Sequence, residues 1–142
     1  MTEPPADRWE HFHHQADIGV RGFGSTPAGA FEQAAYALTA VITTATVNPT
    51  RRLTITCTGD DPELLLVDWL NKLIYLMATE NMLFGRFDVK LSGNALTAQI
   101  FGEAVDVERH QPTVEIKAAT YSELKVRQLS SRHWLVQCVV DV

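Results

Sequence analysis

The stretch HHQADIGVRGFGS, residues 13–25, decides how the chain begins to fold. Its apolar residues suit a short strand or two, and Gly22 and Gly24 after them predict a turn. One acidic side chain, Asp17, interrupts the run just after two histidines. If the segment is extended, Asp17 faces away from Ala16 and Ile18, toward the opposite side of the sheet or its rim.

Two helices are predicted downstream of this stretch. The first begins at Ser25 or Thr26, because either side chain can cap it and Pro27 suits the first turn. The second begins at Asp60 or Asp61, again with a proline in its first turn. Apolar residues recur at helical spacing in both segments: Ala30, Phe31, Ala34, Ala35, Leu38, Val41 and Ile42, then Leu65, Leu66, Trp69, Leu70, Leu73, Ile74 and Met77.

The remaining pattern favours strands. Residues 51–58 alternate apolar and threonine side chains, and further extended segments are expected at 86–91, 95–103, 113–120, 121–129 and 134–140. The SGN sequence at 92–94 predicts a hairpin turn. We therefore predict an α+β fold in which two helices pack on a mainly antiparallel β-sheet. Residues 10–142 should form a single domain, preceded by a flexible N-terminal segment at 1–9.

Composition limits the classes of function. With 142 residues, 46% of them hydrophobic, the chain can build one domain with a core. The net charge of −5 argues against a protein that grips nucleic acid with its whole surface, although a local basic patch stays open. Cys57 and Cys138 show no metal-binding spacing and are expected to be reduced core thiols. Without a signal peptide or an apolar run long enough to span a membrane, we expect a cytoplasmic protein with no membrane contact.

The chain closes on WLVQCVVDV, where an apolar run ends at Asp141. Terminal strands of small sheets often lie side by side, so Asp17 and Asp141 could converge. Two converging carboxylates repel each other unless a cation lies between them. Together with the carbonyl or terminal carboxylate of Val142, they would offer the hard oxygen ligands that calcium or magnesium prefers. The alternatives are ordinary ones: a turn or cap group for Asp17 and a solubilising terminus for Asp141.

Other polar residues have alternatives of the same kind. The segment 101–112 reads as a short loop with solvated charges: Glu103, Asp106, Glu108, Arg109 and His110. Lys117 lies among small and apolar residues, either as a solvated lysine on an open sheet face or as a cation near carboxylates or a phosphate. His14 and His110 would need a third close ligand to hold a metal, which favours solvated or hydrogen-bonded histidines.

Six blocks of sequence, in order, resemble the archease family over residues 10–142. They are HHQADIGVRGFG, the helix that begins TPAGAFEQAAYAL, LLLVDWLNKLIYL, FGEAVDVERH, EIKAATYSELKV and the ending VVDV. Each block alone is a weak pattern, whereas six in order with suitable spacing are specific. The resemblance implies an accessory protein without catalysis of its own. Archeases assist the GTP-dependent RtcB-type RNA ligase of tRNA splicing and RNA repair by promoting its guanylylation and multiple turnover.

The resemblance also implies a site. A divalent cation, taken as calcium with magnesium or manganese as alternatives, would be held by Asp17, Asp141 and an oxygen of Val142. Lys117 belongs to the same functional cluster in the family. We assign four further residues to ligase activation or contact: His14, Glu103, His110 and Glu123. The RtcB-type ligase is the expected partner, RNA contact would be at most indirect, and no small-molecule substrate is expected.

One block departs from the family pattern. The family usually has a histidine after the tyrosine of KAATY, whereas Ser122 and Glu123 follow Tyr121 here. Glu123 could add an acidic ligand, or Ser122 could mark a different ligase partner. Two other classes of function stay open: a metal-dependent hydrolase that uses Asp17, Asp141 and a histidine as base, and a metal-independent chaperone or adaptor that binds through its helix faces.

Overall fold

The computed structural model describes residues 7–142, so most of the expected N-terminal segment, residues 1–6, lies outside it. The elements in chain order are β1 (Arg8–His14), β2 (Asp17–Gly24), α1 (Pro27–Ile42), β3 (Arg51–Thr58), α2 (Pro62–Glu80), β4 (Met82–Ser92), β5 (Ala95–Ala104), α3 (Val107–His110), β6 (Ala118–Ala119), β7 (Lys125–Ser130) and β8 (His133–Asp141). Because β1 begins at Arg8, Arg8 and Trp9 belong to a strand and not to a flexible segment.

The strands form two antiparallel sheets. One has five strands in the order β1-β2-β8-β6, with β7 also paired to β8, and the other has three in the order β3-β5-β4. Helix α1 packs on β2 of the first sheet and on β4 of the second, and α2 also contacts strands of both. The core lies between these layers, and its largest fully buried side chains include Trp69, Phe31, Phe84, Leu38, Leu66 and Leu70. The predicted α+β class is confirmed, with the strands divided between two sheets.

Both predicted helix starts are confirmed. The hydroxyl of Thr26 accepts a hydrogen bond from the backbone N–H of Gly29 at 3.0 Å, and Pro27 is the first helical residue. The carboxylate of Asp61 caps α2 by accepting from the N–H of Leu64 at 2.9 Å. Such caps satisfy backbone donors that have no partner inside the helix, and each contributes about 1 kcal/mol to stability.

The turn predicted at Gly22 and Gly24 is wrong, because β2 runs through both residues. A Cβ atom on Gly22 would lie 2.2 Å from the carbonyl oxygen of Ala30, and one on Gly24 would lie 2.4 Å from the nitrogen of the same residue. The two glycines therefore allow α1 to approach β2 backbone to backbone. The reversal comes earlier, between β1 and β2, where Gln15 adopts a left-handed φ of 55°.

The segment between β5 and β7 also differs from the prediction. Glu103 lies inside β5, and Val107–His110 form the short helix α3, so 101–112 is not simply a loop. Of the strand expected at 113–120, two residues pair as β6, because Thr113 uses its N–H and its hydroxyl on the last carbonyls of α1. The strand expected at 121–129 begins later, at Lys125. The turn predicted at 92–94 is confirmed, with Gly93 at a φ of 60°.

Two further findings concern chemistry and membranes. Cys57 and Cys138 are buried and unbonded, as predicted, and burial raises the pKa of each thiol to about 12. Neither sulfur is therefore a reactive thiolate at neutral pH. Within residues 7–142, no helix combines the length and the apolar character needed to cross a membrane.

Candidate metal and partner-binding site

The two predicted carboxylates lie at the same end of the five-stranded sheet. Strand β2 begins at Asp17, β8 ends at Asp141, and Ile18 pairs with Val140 in the antiparallel register between them. That register, continued by one residue, sets Asp17 opposite Asp141. Directly opposed residues project from the same face with Cβ atoms about 4.5–5.5 Å apart. The fold therefore brings together two side chains that are separated by almost the whole chain.

The row formed by these residues crosses the sheet. His14 pairs with Asp17 on one side, and Ala118 pairs with Asp141 on the other. We call this set, His14, Asp17, Asp141 and Ala118, the carboxylate row. The adjacent row contains Val140, which is fully buried in the core. Because successive residues point to opposite faces, the carboxylate row faces away from the helices.

The electrostatics of the row favour a cation. Among the residues described, neither Asp17 nor Asp141 has a cationic side chain within ion-pair distance. Two neighbouring carboxylates repel each other, and their oxygens are ligands of the kind that calcium and magnesium take. No cluster of three or more His, Cys, Asp or Glu side chains suited to a metal occurs in residues 7–142. The side chains would thus supply two ligands, and Val142, whose side chain packs on the core, follows directly.

His14 adds an independent sign of a ligand at this row. Its Nδ1 is buried and has no hydrogen-bond partner, which is true of no other buried side-chain nitrogen or oxygen in the described part of the chain. A buried polar atom left without a partner costs about 1–3 kcal/mol. The carboxylate row therefore contains both unneutralised charge and an unsatisfied nitrogen, and both fit a bound cation with its water.

Lys117 is tied to the row through its backbone. Its N–H donates to the carbonyl oxygen of Asp141 at 2.8 Å, and its side chain is exposed. The position of this strand depends on Asn71 of α2, whose amide donates to the oxygen of Ala119 at 3.3 Å and accepts from its nitrogen at 2.9 Å. Asn71 was not among the residues predicted from the sequence. The feature of the sequence that could have indicated its role is an amide side chain among the apolar residues of α2.

Glu123 lies beside the middle of β8. It adopts a left-handed φ of 54° in an exposed turn, and its carbonyl accepts from the side-chain amide of Gln137 at 2.9 Å. The carbonyl of its neighbour Ser122 accepts from the N–H of Val139, two residues before Asp141. The two residues that depart from the family pattern thus lie beside Gln137 and Val139, and the Glu123 side chain is exposed.

Glu103 and His110 form a separate cluster on β5 and α3. The ring of His110 is 1% exposed, and its Nδ1 accepts from the backbone N–H of Asp106 at 2.9 Å. The proton must then sit on Nε2, which lies 3.1 Å from Glu103. Glu103 also accepts from the N–H of Asn48 at 2.6 Å and from Arg109, and Arg109 lowers its pKa to about 2. Both side chains are engaged within the protein, and His110 presents no surface to a partner.

Known archease sequences resemble this chain over almost its whole length. The model of the Archease protein family matches residues 9–142. Protein archease of Pyrococcus furiosus is 39% identical over 140 residues, which cover 95% of this chain and 99% of that protein. Protein archease of Sulfurisphaera tokodaii is 35% identical over 138 residues, with the same shares covered.

Two solved structures are similar in fold. The solution structure of a Methanobacterium thermoautotrophicum protein has a TM-score of 0.82 and 29% identity, and covers 94% of this chain and 98% of that one. The crystal structure of a Thermotoga maritima archease, described as a possible chaperone, has a TM-score of 0.60 and covers 100% and 98%. At 20% identity, the second similarity concerns the fold alone. The match of the family model over almost the whole sequence and the identity to curated archeases show that this chain belongs to the archease family.

Proposed function

We propose that this protein activates a GTP-dependent RtcB-type RNA ligase and has no catalytic turnover of its own. It would promote guanylylation of the ligase and its repeated turnover in tRNA splicing and RNA repair. The observation that carries the proposal is the opposition of Asp17 and Asp141 at the end of the sheet, on the face away from the helices. Membership of the archease family supports the choice of partner.

Asp17, Asp141 and an oxygen of Val142 would hold a divalent cation, with calcium first and magnesium or manganese as alternatives. When bound, the cation would neutralise the carboxylate pair and so let a phosphate group approach it. Lys117 would add a positive charge, since its backbone bond to Asp141 keeps it at the same strand end. Phosphoryl transfer depends mainly on positioning and charge stabilisation, which a rigid accessory surface can supply to a partner that provides the nucleophile.

Glu123 and His14 would be the nearest further contacts. Glu123 is exposed in the turn before β7, and it suits a basic or metal-rich pocket of a ligase better than a phosphate. His14 would orient the site through its unpartnered Nδ1. The proposal places the activity in the cytoplasm, in keeping with two cysteines that are both buried and unbonded.

The experiment is a guanylylation assay of the cognate ligase with labelled GTP and divalent metal. Substoichiometric wild-type protein should increase labelled ligase strongly, and Asp17→Asn and Asp141→Asn should each lose most of this increase. Asp88→Asn, an exposed carboxylate on β4, is the matched control and should stimulate like the wild type. The proposal fails if the wild type leaves a competent ligase unchanged, or if all three variants behave alike.

The hydrolase and the adaptor would each give a different result in the same guanylylation assay. Hydrolysis of GTP or of a phosphodiester by the protein alone would favour the hydrolase. An adaptor that uses its helices would tolerate both Asp→Asn changes and would instead lose activity with Tyr75→Asp. Tyr75 is 65% exposed on α2 and is a direct probe of that helix surface.

A further inference from the structure

The five-stranded sheet has one face that the helices do not cover. Gly22 meets the backbone of α1, so even-numbered residues of β2 face the helix and odd-numbered ones face outward. We call the outward side the outer face. The side chain of Arg21 lies there, because its Nε donates to the Gln137 side chain at 2.7 Å across the strand pair. The carboxylate row lies on the same face, at its end.

Two rows on the outer face are rich in cations. Cross-strand pairing places four residues in each: Arg8, Phe23, Leu135 and Arg127 in the first, and Glu10, Arg21, Gln137 and Lys125 in the second. We call these eight residues the basic rows. They contain four cationic side chains and one acidic side chain, whereas the chain as a whole carries a net charge of −5. Positive charge is therefore concentrated on this face of an acidic protein.

The arginines on the β1 and β2 side are held in place. The guanidinium of Arg8 lies 3.8 Å from the ring centroid of Phe23, and that of Arg21 lies 4.5 Å from the centroid of Phe12. Glu10 accepts from both, at 3.0 Å from Arg8 and 2.5 Å from Arg21. Planar guanidinium groups fixed in this way are well suited to phosphate oxygens, because less side-chain entropy is lost on binding.

The cations on the β7 side have no acidic partner. Neither Lys125 nor Arg127 has a carboxylate within 4.0 Å among the residues described, and Arg127 is exposed. These two cations keep their full charge for an anion, whereas Arg8 and Arg21 share the negative charge of Glu10. An anionic ligand that spans the sheet would thus meet fixed arginines on one side and free cations on the other.

We propose that the basic rows bind the phosphodiester backbone of single-stranded RNA and direct it toward the carboxylate row. Arg21 is four residues from Asp17 on the same strand, a separation of about 13 Å. Charge complementarity selects a polyanion, and the extended arrangement of the rows suits a strand of linked phosphates. The choice of RNA rests on the proposed function, and it replaces the indirect RNA contact expected from the sequence with a direct one. The acidic charge of the rest of the chain would confine RNA to this face.

Fluorescence anisotropy with a labelled twelve-nucleotide oligouridylate and the full-length protein tests the proposal. A net charge of about three should give a slope of roughly −2 in a plot of log affinity against log salt concentration. The double variant Lys125→Glu/Arg127→Glu brings the net charge of the rows from about +3 to about −1, so it should abolish that slope and lower the affinity at 50 mM salt by about tenfold or more. Circular dichroism and thermal unfolding would check that the variant is folded.

The control is Arg52→Glu/Lys90→Glu. These residues are exposed cations on the open face of the three-stranded sheet, so the net charge changes by the same amount. The control should retain binding within about twofold. Equal loss in both double variants, absence of wild-type binding at 20 mM salt, or complete displacement by polyglutamate of equal charge would each overturn the proposal.

The two proposals can fail separately. Guanylylation of the ligase requires no RNA, so Lys125→Glu/Arg127→Glu should stimulate guanylylation like the wild type while losing oligouridylate. Oligouridylate binding that this variant retains would overturn the RNA inference, whatever its effect on guanylylation. Absence of guanylylation by the wild type would overturn the proposed function, and the anisotropy measurement would still decide whether the basic rows bind RNA.

Discussion

The side-chain amide of Asn71 binds both backbone polar groups of Ala119, in the place that a neighbouring strand would occupy. Through this contact α2 holds β6, and β6 in turn pairs with the end of β8. The strand that carries Lys117 toward Asp141 is therefore positioned by a helix residue that touches neither.

Asn71→Leu should uncouple this strand from the helix. Two buried backbone groups would lose their partner, which should lower the free energy of unfolding by about 1–3 kcal/mol. Urea unfolding measures the loss, and hydrogen exchange at Ala119 shows whether it is local. Asn94→Leu, in the turn after β4, is the control, and a comparable loss there would show that the contact has no special role.

Asp17→Asn should separate two effects on stability: the repulsion between the carboxylates of Asp17 and Asp141, and the binding of a metal between them. Without divalent cations the change removes one of two neighbouring like charges, so the melting temperature should stay the same or rise. Added calcium should stabilise the wild type by about 2.7 kcal/mol at one hundred times its Kd, and should leave the variant unaffected. Differential scanning fluorimetry with and without EDTA measures both effects. Calcium stabilisation that persists in Asp17→Asn and in Asp141→Asn would place the cation elsewhere.

Glu103 should make stability depend on acid pH. Arg109 holds its pKa at about 2, below the usual 4.5, so the carboxylate binds protons more weakly in the folded state. Its stabilising contribution is then complete above about pH 4.5 and is lost as the pH falls toward 2. Urea midpoints of the wild type should decline over that range, and Glu103→Gln should flatten the decline.

The same variant gives a second readout at neutral pH. Glu103→Gln should cost about 1.5–3 kcal/mol at pH 7, because charged hydrogen bonds to Arg109 and the backbone are lost. Glu108→Gln, an exposed change in the same short helix, should cost less than about 0.5 kcal/mol. Equal pH profiles for wild type and Glu103→Gln would show that other groups cause the acid response.

Gly22→Ala should be strongly destabilising. A methyl group there would lie 2.2 Å from a backbone oxygen of α1, and backbone cannot move aside as a side chain can. We expect a loss of about 3 kcal/mol or more in chemical unfolding, since α1 must shift off the sheet. Gly29→Ala, inside the helix with its nearest contact at 3.3 Å, should change stability by less than about 1 kcal/mol. Similar values for the two variants would contradict the close-approach explanation.

Several features followed from the sequence because their signals are local. The caps at Thr26 and Asp61, each with a proline after it, lie within one turn of the structure they specify. The alternation at 51–58 likewise reports a strand with one buried face. Ordered blocks of sequence indicated the family, and chain ends that pair in small sheets brought Asp17 and Asp141 into consideration together.

Predictions of other features were wrong or absent, because these features depend on residues that are distant in the sequence. Two closely spaced glycines can form a turn or can allow a helix to pack closely on a strand, and the sequence pattern is the same in both cases. The contact with the backbone of α1 shows that Gly22 has the second role. The environment of His110 depends on α3 and on Glu103 of β5, which together engage both of its ring nitrogens. The role of Asn71 depended on a strand that begins nearly fifty residues later.

The amino-acid sequence by itself determined the two long helices and their starts, most of the strands, the inert cysteines, the family and the candidate carboxylates. The tertiary structure decided which side chains share a face: the carboxylate row, the basic rows and the separate Glu103–His110 cluster. The physical reason is the distance along the chain over which each kind of interaction acts. Caps, turns and periodicity act between residues a few positions apart, whereas a contact such as that of Arg21 with Gln137, 116 positions away, exists when strand register and sheet order are set by the packed core.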